Sequence, residues 1–340
     1  VTGVQTCALP IYKMNPDIQK EVQDKSLMEN ARHAVNAIVR PPRSDYKDSD
    51  ITNVNLPNGL PPVEPIPLSL INRNGEELVG SLYKSINFEK EDRHRCVLYL
   101  HGNIGTQLEG RFLVRQLCPR SISVFCFDFS GSGHSGGEYV TLGYNEHNDI
   151  LDIIELLQNG FDFEDFALWG RSMGASSAIM AASECDKIKG IVVDSAYSSL
   201  DDLFLAISSH VQLPGFLKTI GIWWIKREVQ NIAGFNCDLV KPLESGMSSN
   251  VPLMLGHSKE DKFVPYEQGK NIFLNYGCKD KEMMTLSGGH NSRRDSCWIM
   301  KCIRFILRVF GMSFQYIEVE VSADTVQHVA SFGELLRAQK

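Results

Sequence analysis

The sequence predicts an α/β fold, with a mostly parallel central sheet flanked by helices on both faces. Short, nearly continuous apolar runs recur between residues 96 and 288, and segments with helical spacing separate them. Runs of this kind lack the in/out alternation of a half-solvated antiparallel sheet, so they read as parallel strands covered by crossover helices. The 340 residues are enough for one large domain with its own core.

Taken in order, the first eleven residues, VTGVQTCALPI, match a translated frame of a sequencing-library adapter and are set aside as adapter-derived. Residues 12–62 comprise a helix and a lead-in. The helix has apolar positions Val22, Leu27, Met28, Ala31, Val35 and Ile38, and stops at Pro41–Pro42. The lead-in is rich in proline, asparagine and aspartate and reads as a wrapping linker. "PLSLINRNGEELVGSLYKS" reads as two strands joined at an Asn74–Gly75 hairpin turn.

Further strands are expected at CVLYL (96–100), SVFCFDF (123–129), DFALWG (165–170), GIVVDS (190–195), VPLMLGH (251–257) and EMMTLSG (282–288). Helices are expected near 106–117, 142–159, 173–184, 265–276 and 293–309. The interruption at 196–250 is too long for a plain loop and reads as a small helical lid inserted in a unit spanning 63–311. Residues 312–340 form a tail in which only "FQYIEVEV" has strand character.

Composition narrows the function. Apolar residues at 43% and charged residues at 22% fit a soluble globular chain. A net charge of −7 and a pI near 5.8 argue against a nucleic-acid partner. The basic pairs Lys226–Arg227 and Arg293–Arg294 read as solvated surface. The nine cysteines include no CxxC, and Cys96, Cys126, Cys297 and Cys302 lie in apolar runs, so buried reduced thiols and a cytoplasmic setting are expected. No stretch reaches the roughly 18–20 apolar residues of a membrane span. "IGIWWIKREV" (220–229) admits three readings: the core of the lid, an acyl-binding wall, or an interfacial helix in peripheral contact with a membrane. Trp223 and Trp224 are adjacent, so on a helix they face different ways.

The chemistry centres on "ALWGRSMGAS" (167–176), where Ser172 stands between Gly170 and Gly174 at the junction of a strand and a helix. A nucleophile on such an elbow adopts a strained backbone, and side chains two positions either side would collide. Glycine removes the collisions and leaves the hydroxyl at a helix N-terminus, where developing negative charge is favoured. A hydroxyl needs a base, and His290 in "SGGHNS" follows the last strand. Asp261 follows the strand before it and is the candidate acid, with Asp194 in reserve. His101, His134, His147 and His257 read as structural. The Met173 N–H and the Asn103 N–H, in "YLHGNIG", are the candidate oxyanion donors. "GSGHSGG" (131–137) contains GxGxxG but follows the wrong strand and precedes no prompt helix, so it reads as a loop bordering the site and not as a nucleotide cradle.

Together, HGN (101–103), FDFSGSGHSGG (127–137), WGRSMGA (169–175), DS (194–195), EDKFVP (260–265) and GGHN (288–291) resemble α/β-hydrolase-fold serine hydrolases. The likeness covers about residues 64–310 and is nearest the branch of serine-aminopeptidase-like proteins and acyl-protein thioesterases (depalmitoylases). "VRPPRSDY" (39–46) resembles the lead-in of protist members. The resemblance implies a Ser172–His290–Asp261 triad that cleaves a carboxylic ester or thioester through an acyl-enzyme, on a small molecule or an acylated protein. A serine-aminopeptidase-like peptidase and a catalytically silent binding protein of the same fold remain open as alternatives. No cofactor or metal is implied, because neither cysteine nor histidine shows ligand spacing. The sequence departs from the branch at His257–Ser258, where His-Gly is usual, and should stiffen the acid turn there. It also shows no cysteine-rich anchoring segment.

Overall fold

The computed structural model describes residue 32, residues 35–209 and residues 214–313. The adapter-like stretch, most of the N-terminal helix and the strand-like part of the tail lie outside the described residues. Eight strands form one sheet: β1 (Ile66–Ile71), β2 (Glu77–Tyr83), β3 (His94–Leu100), β4 (Ser123–Phe127), β5 (Phe163–Arg171), β6 (Ile188–Asp194), β7 (Leu253–Ser258) and β8 (Lys281–Leu286). Their spatial order is β1-β2-β4-β3-β5-β6-β7-β8. The β1–β2 and β2–β4 pairs are antiparallel and the remaining pairs parallel. This is the α/β-hydrolase fold the motifs imply.

The helices are α1 (Phe112–Leu117), α2 (Glu146–Phe161), α3 (Met173–Ala182), α4 (Leu200–Ser208), α5 (Gly215–Ala233), α6 (Pro242–Ser248), α7 (Tyr266–Asn275) and α8 (Ser296–Val309). Along β3, Cys96, Leu98 and Leu100 enter one core while Val97 and Tyr99 enter the other. A strand apolar on both faces must be covered on both. Helices α2, α3 and α7 cover the first face, and α1 and α8 the second.

The hairpin differs from the expected two-residue turn. Ile71 pairs with Glu77, which leaves a five-residue loop between them. Gly75 takes a positive φ of 80°, but Asn74 does not, so the paired left-handed turn is not made. Instead Asn72 Oδ1 accepts the N–H groups of Asn74 and Glu76 at 3.0 and 2.9 Å.

The lead-in packs on the body, with Tyr46, Val54, Leu56 and Val63 all buried. The Tyr46 hydroxyl donates to Asp128 Oδ2 at 2.6 Å and accepts from Gln107 Nε2 at 2.6 Å. The 131–137 loop wraps the same carboxylate, which accepts the His134 N–H at 2.9 Å. Gly133 makes room for the protein's own Asp128: a Cβ there would stand 2.2 Å from Asp128 Oδ2.

The insertion between β6 and β7 carries α4, α5 and α6. On α5, Trp224, Ile222 and Ile225 pack against the core, whereas Phe216, Ile220 and Trp223 are exposed. Lys226, expected to be solvated, binds Asp201 at 2.8 Å and also Asp238. No helix among the described residues is long and apolar enough to cross a membrane. The eight cysteines among the described residues are all free thiols; Cys297, expected to be buried, is exposed.

Candidate active site

Because β3, β5, β6, β7 and β8 run parallel, their carboxyl ends share one edge of the sheet, where ligand sites form in open α/β sheets. Ser172 directly follows β5, Asp261 and His290 follow β7 and β8, and Asn103 follows β3.

Ser172 has φ 52° and ψ −115°, a conformation sparsely populated by non-glycine residues. Glycines flank it for the expected reason. A Cβ on Gly170 would stand 2.3 Å from the Gly174 carbonyl oxygen, and one on Gly174 would stand 2.1 Å from that of Leu100. The elbow therefore admits no side chain at either point, and helix α3 starts immediately behind the serine.

His290 Nε2 lies 2.8 Å from Ser172 Oγ. Its Nδ1 lies 2.7 Å from Asp261 Oδ2. The other carboxylate oxygen, Oδ1, accepts the Phe263 and Val264 N–H groups at 2.9 Å each. Burial works to raise the Asp261 pKa, but the His290 hydrogen bond and these two N–H groups hold it below the ordinary carboxylate value. Ser258 Oγ accepts the Glu260 N–H at 3.0 Å, a contact a glycine could not provide.

The structure brings together three of the expected side chains, and the segments that carry the two expected oxyanion donors adjoin the serine. Met173 opens α3. The Asn103 loop passes close to the serine: a Cβ on Gly102 would stand 3.7 Å from Ser172 Cβ. His101 holds this loop, with Nδ1 2.7 Å from the Gly102 carbonyl and Nε2 accepting the Phe129 N–H at 3.0 Å.

None of the other expected histidines contacts the serine. His257 is fully buried beneath the acid, with Nε2 2.9 Å from the Val264 carbonyl and 3.7 Å from Asp261 Oδ2. His134 stacks on Tyr46 at 3.9 Å, and His147 Nδ1 lies 2.8 Å from the Gly143 carbonyl.

Asp194 is not available as an acid. Arg294 grips it through Nε to Oδ2 at 2.7 Å and Nη2 to Oδ1 at 2.8 Å. Burial alone would raise the Asp194 pKa; the adjacent guanidinium reverses this and holds it low. Arg294, expected on the surface, is therefore a buried counter-ion. Arg171 was also missed, although a residue between Gly170 and Ser172 necessarily sits beside the nucleophile. Its Nη2 donates to the His290 and Ser292 carbonyls at 2.7 and 2.9 Å.

Comparison with known proteins agrees with this architecture. Residues 91–234 match a family described as serine aminopeptidase, S33. An uncharacterized protein of Acanthamoeba polyphaga mimivirus is 23% identical over 223 residues, covering 62% of this chain and 72% of that protein. A lysophosphatidylserine lipase of Danio rerio is 24% identical over 54% of this chain, which spans 47% of the fish protein's length. Among solved structures, an esterase of Pyrococcus furiosus superposes with a TM-score of 0.59 at 20% identity, covering 80% of this chain and 98% of the esterase.

Proposed function

We propose, on the premise that this chain is an α/β-hydrolase, that it is a serine hydrolase cleaving a carboxylic ester or thioester through an acyl-enzyme. The observation that carries the reading is the continuous relay from Asp261 through His290 to Ser172, at 2.7 and 2.8 Å. In this reading His290 Nε2 takes the Ser172 proton as Oγ attacks the substrate carbonyl carbon, and Asp261 keeps the imidazole in the tautomer that can accept it.

The Met173 and Asn103 N–H groups stabilise the tetrahedral oxyanion; loss of one such donor costs on the order of 10²–10³ in turnover. The imidazolium then gives its proton to the leaving alcohol or thiol as the carbon–oxygen or carbon–sulfur bond breaks. A water molecule, deprotonated by His290, releases the acid. No cofactor enters these steps. The proposed substrate is an acylated small molecule or protein; the lipase among the similar proteins supports the ester-cleaving part of this reading. The free thiols support a cytoplasmic setting.

The test is a fluorophosphonate probe followed by a substrate panel. Wild type should label and Ser172→Ala should not; an unlabelled, folded wild type beside a labelled control hydrolase would overturn the reading in favour of a silent binding protein. On the panel, p-nitrophenyl esters and palmitoyl-thio compounds should turn over faster than aminoacyl amides. The reverse order would make the chain a peptidase.

A further inference from the structure

We propose that Arg171 is a positioning residue for the base, acting with the Arg294–Asp194 pair to fix the His290 loop against the nucleophile elbow. The inference rests on the serine-hydrolase reading and extends it to residues outside the triad.

His290 is carried by "SGGHNS", a segment between β8 and α8 that has two glycines and no regular structure of its own. Left to itself such a loop would let the imidazole wander. Two guanidiniums hold its carbonyl oxygens instead. Arg171 Nη2 donates to the carbonyls of His290 and Ser292 at 2.7 and 2.9 Å. Arg294 Nη2 donates to the same His290 carbonyl at 3.3 Å, and its Nη1 to that of Gly289 at 3.2 Å. Hydrogen bonds from a charged donor are the strong class.

The anchors are themselves tied to the nucleophile. Arg171 ends β5 and is the register partner of Asp194 at the end of β6. The Asp194 main-chain carbonyl accepts the Ser172 N–H at 2.8 Å. Its carboxylate holds Arg294 on both oxygens and accepts the Ser195 hydroxyl at 2.9 Å.

A closed ring results. It runs from the Ser172 N–H through Asp194 and Arg294 to the His290 carbonyl, along the His290 side chain, and back to Ser172 Oγ. The side chains of Arg294 and Asp194 are only 6% and 4% exposed, so neither charge can leave its partner cheaply. The ring fixes how far the base can stray from the hydroxyl. In catalysis a displacement near 1 Å costs about 10²-fold.

The experiment compares wild type, Arg171→Ala, Arg171→Gln and Ser172→Ala in p-nitrophenyl ester hydrolysis and in fluorophosphonate labelling rate, with thermal midpoints recorded alongside. The expected result is a fall in kcat of about 10²-fold for Arg171→Ala with little change in KM. Added methylguanidinium should restore part of the loss in Arg171→Ala and none in Ser172→Ala. A purely structural role would lower kcat and the thermal midpoint together without rescue, and that result overturns the proposal. So does a folded Arg171→Ala that labels at the wild-type rate. If Arg171→Ala does not fold, the same readouts on Arg171→Gln decide. An unlabelled wild type overturns the parent reading and this proposal with it, whereas a labelled wild type and an equally reactive Arg171→Ala overturn the proposal alone.

Discussion

Asp261 divides its two oxygens between different tasks: Oδ2 meets His290 Nδ1 at 2.7 Å, and Oδ1 takes the Phe263 and Val264 N–H groups at 2.9 Å. In Asp261→Asn the amide oxygen stays on those two N–H groups, which forces the NH₂ towards Nδ1. The imidazole must then present Nδ1 as acceptor and carry its proton on Nε2, facing the serine. Turnover should fall about 10⁴-fold while labelling chemistry stays on Ser172. Steady-state kinetics on a p-nitrophenyl ester checks this.

The same carboxylate gives an acid-range signature. Its pKa is depressed on folding, so its stabilising contribution is complete above the unfolded carboxylate value and is lost as pH falls through the lower folded value. Denaturant melts of Asp261→Asn should therefore show a shallower loss of stability in strong acid than wild type.

Asp149 on α2 should act in the opposite sense. Burial raises its pKa from 3.8 to about 7, against the Ser130 N–H and the Asn72 amide, which favour the anion. The folded state thus binds a proton that the unfolded state has released. This contribution to stability is full below pH 3.8 and is lost as pH rises to about 7. Asp149→Asn should remove that part of the slope, read as a flatter plot of unfolding free energy against pH.

The elbow is sterically unforgiving. Gly174→Ala would put a methyl 2.1 Å from the Leu100 carbonyl oxygen and 2.6 Å from that of His101, both backbone atoms, which leaves nothing soft to move. A loss of about 3 kcal/mol is expected, with the denaturant midpoint shifted and the slope unchanged.

Tyr46→Phe removes one donor and one acceptor from a buried cluster and strands Gln107 Nε2, which donates to that hydroxyl at 2.6 Å. The cost should be about 2 kcal/mol by thermal unfolding. A loss near zero would mean that water replaces the hydroxyl.

Much of this was legible in the chain itself. Strands such as CVLYL are apolar at every position because both faces are covered, and that pattern needs only local sequence. Ser172 is marked by the glycines its own backbone requires. His290 and Asp261 follow once the strands are counted. Arg294 escaped because its meaning lies in Asp194, one hundred residues away, and no local spacing separates a buried guanidinium from a wet one.

Cys297 misled for a related reason. It lies in an apolar run, but on α8 the buried positions begin with Trp298, Ile299, Cys302 and Ile303, and Cys297 falls off that phase. The hairpin turn departs from the Asn-Gly pattern because Asn72, outside that pair, organises the loop.

The division of faces on α5 leaves the molecule with a built-in optical reporter. Of its four tryptophans, Trp169 and Trp298 are 3% and 1% exposed and Trp224 is half-buried, while Trp223 is 58% exposed. Iodide or acrylamide should quench Trp223 first, and the red edge of the emission will follow its surroundings. Whatever approaches the outer side of this insertion can therefore be watched in the unlabelled, unmutated protein.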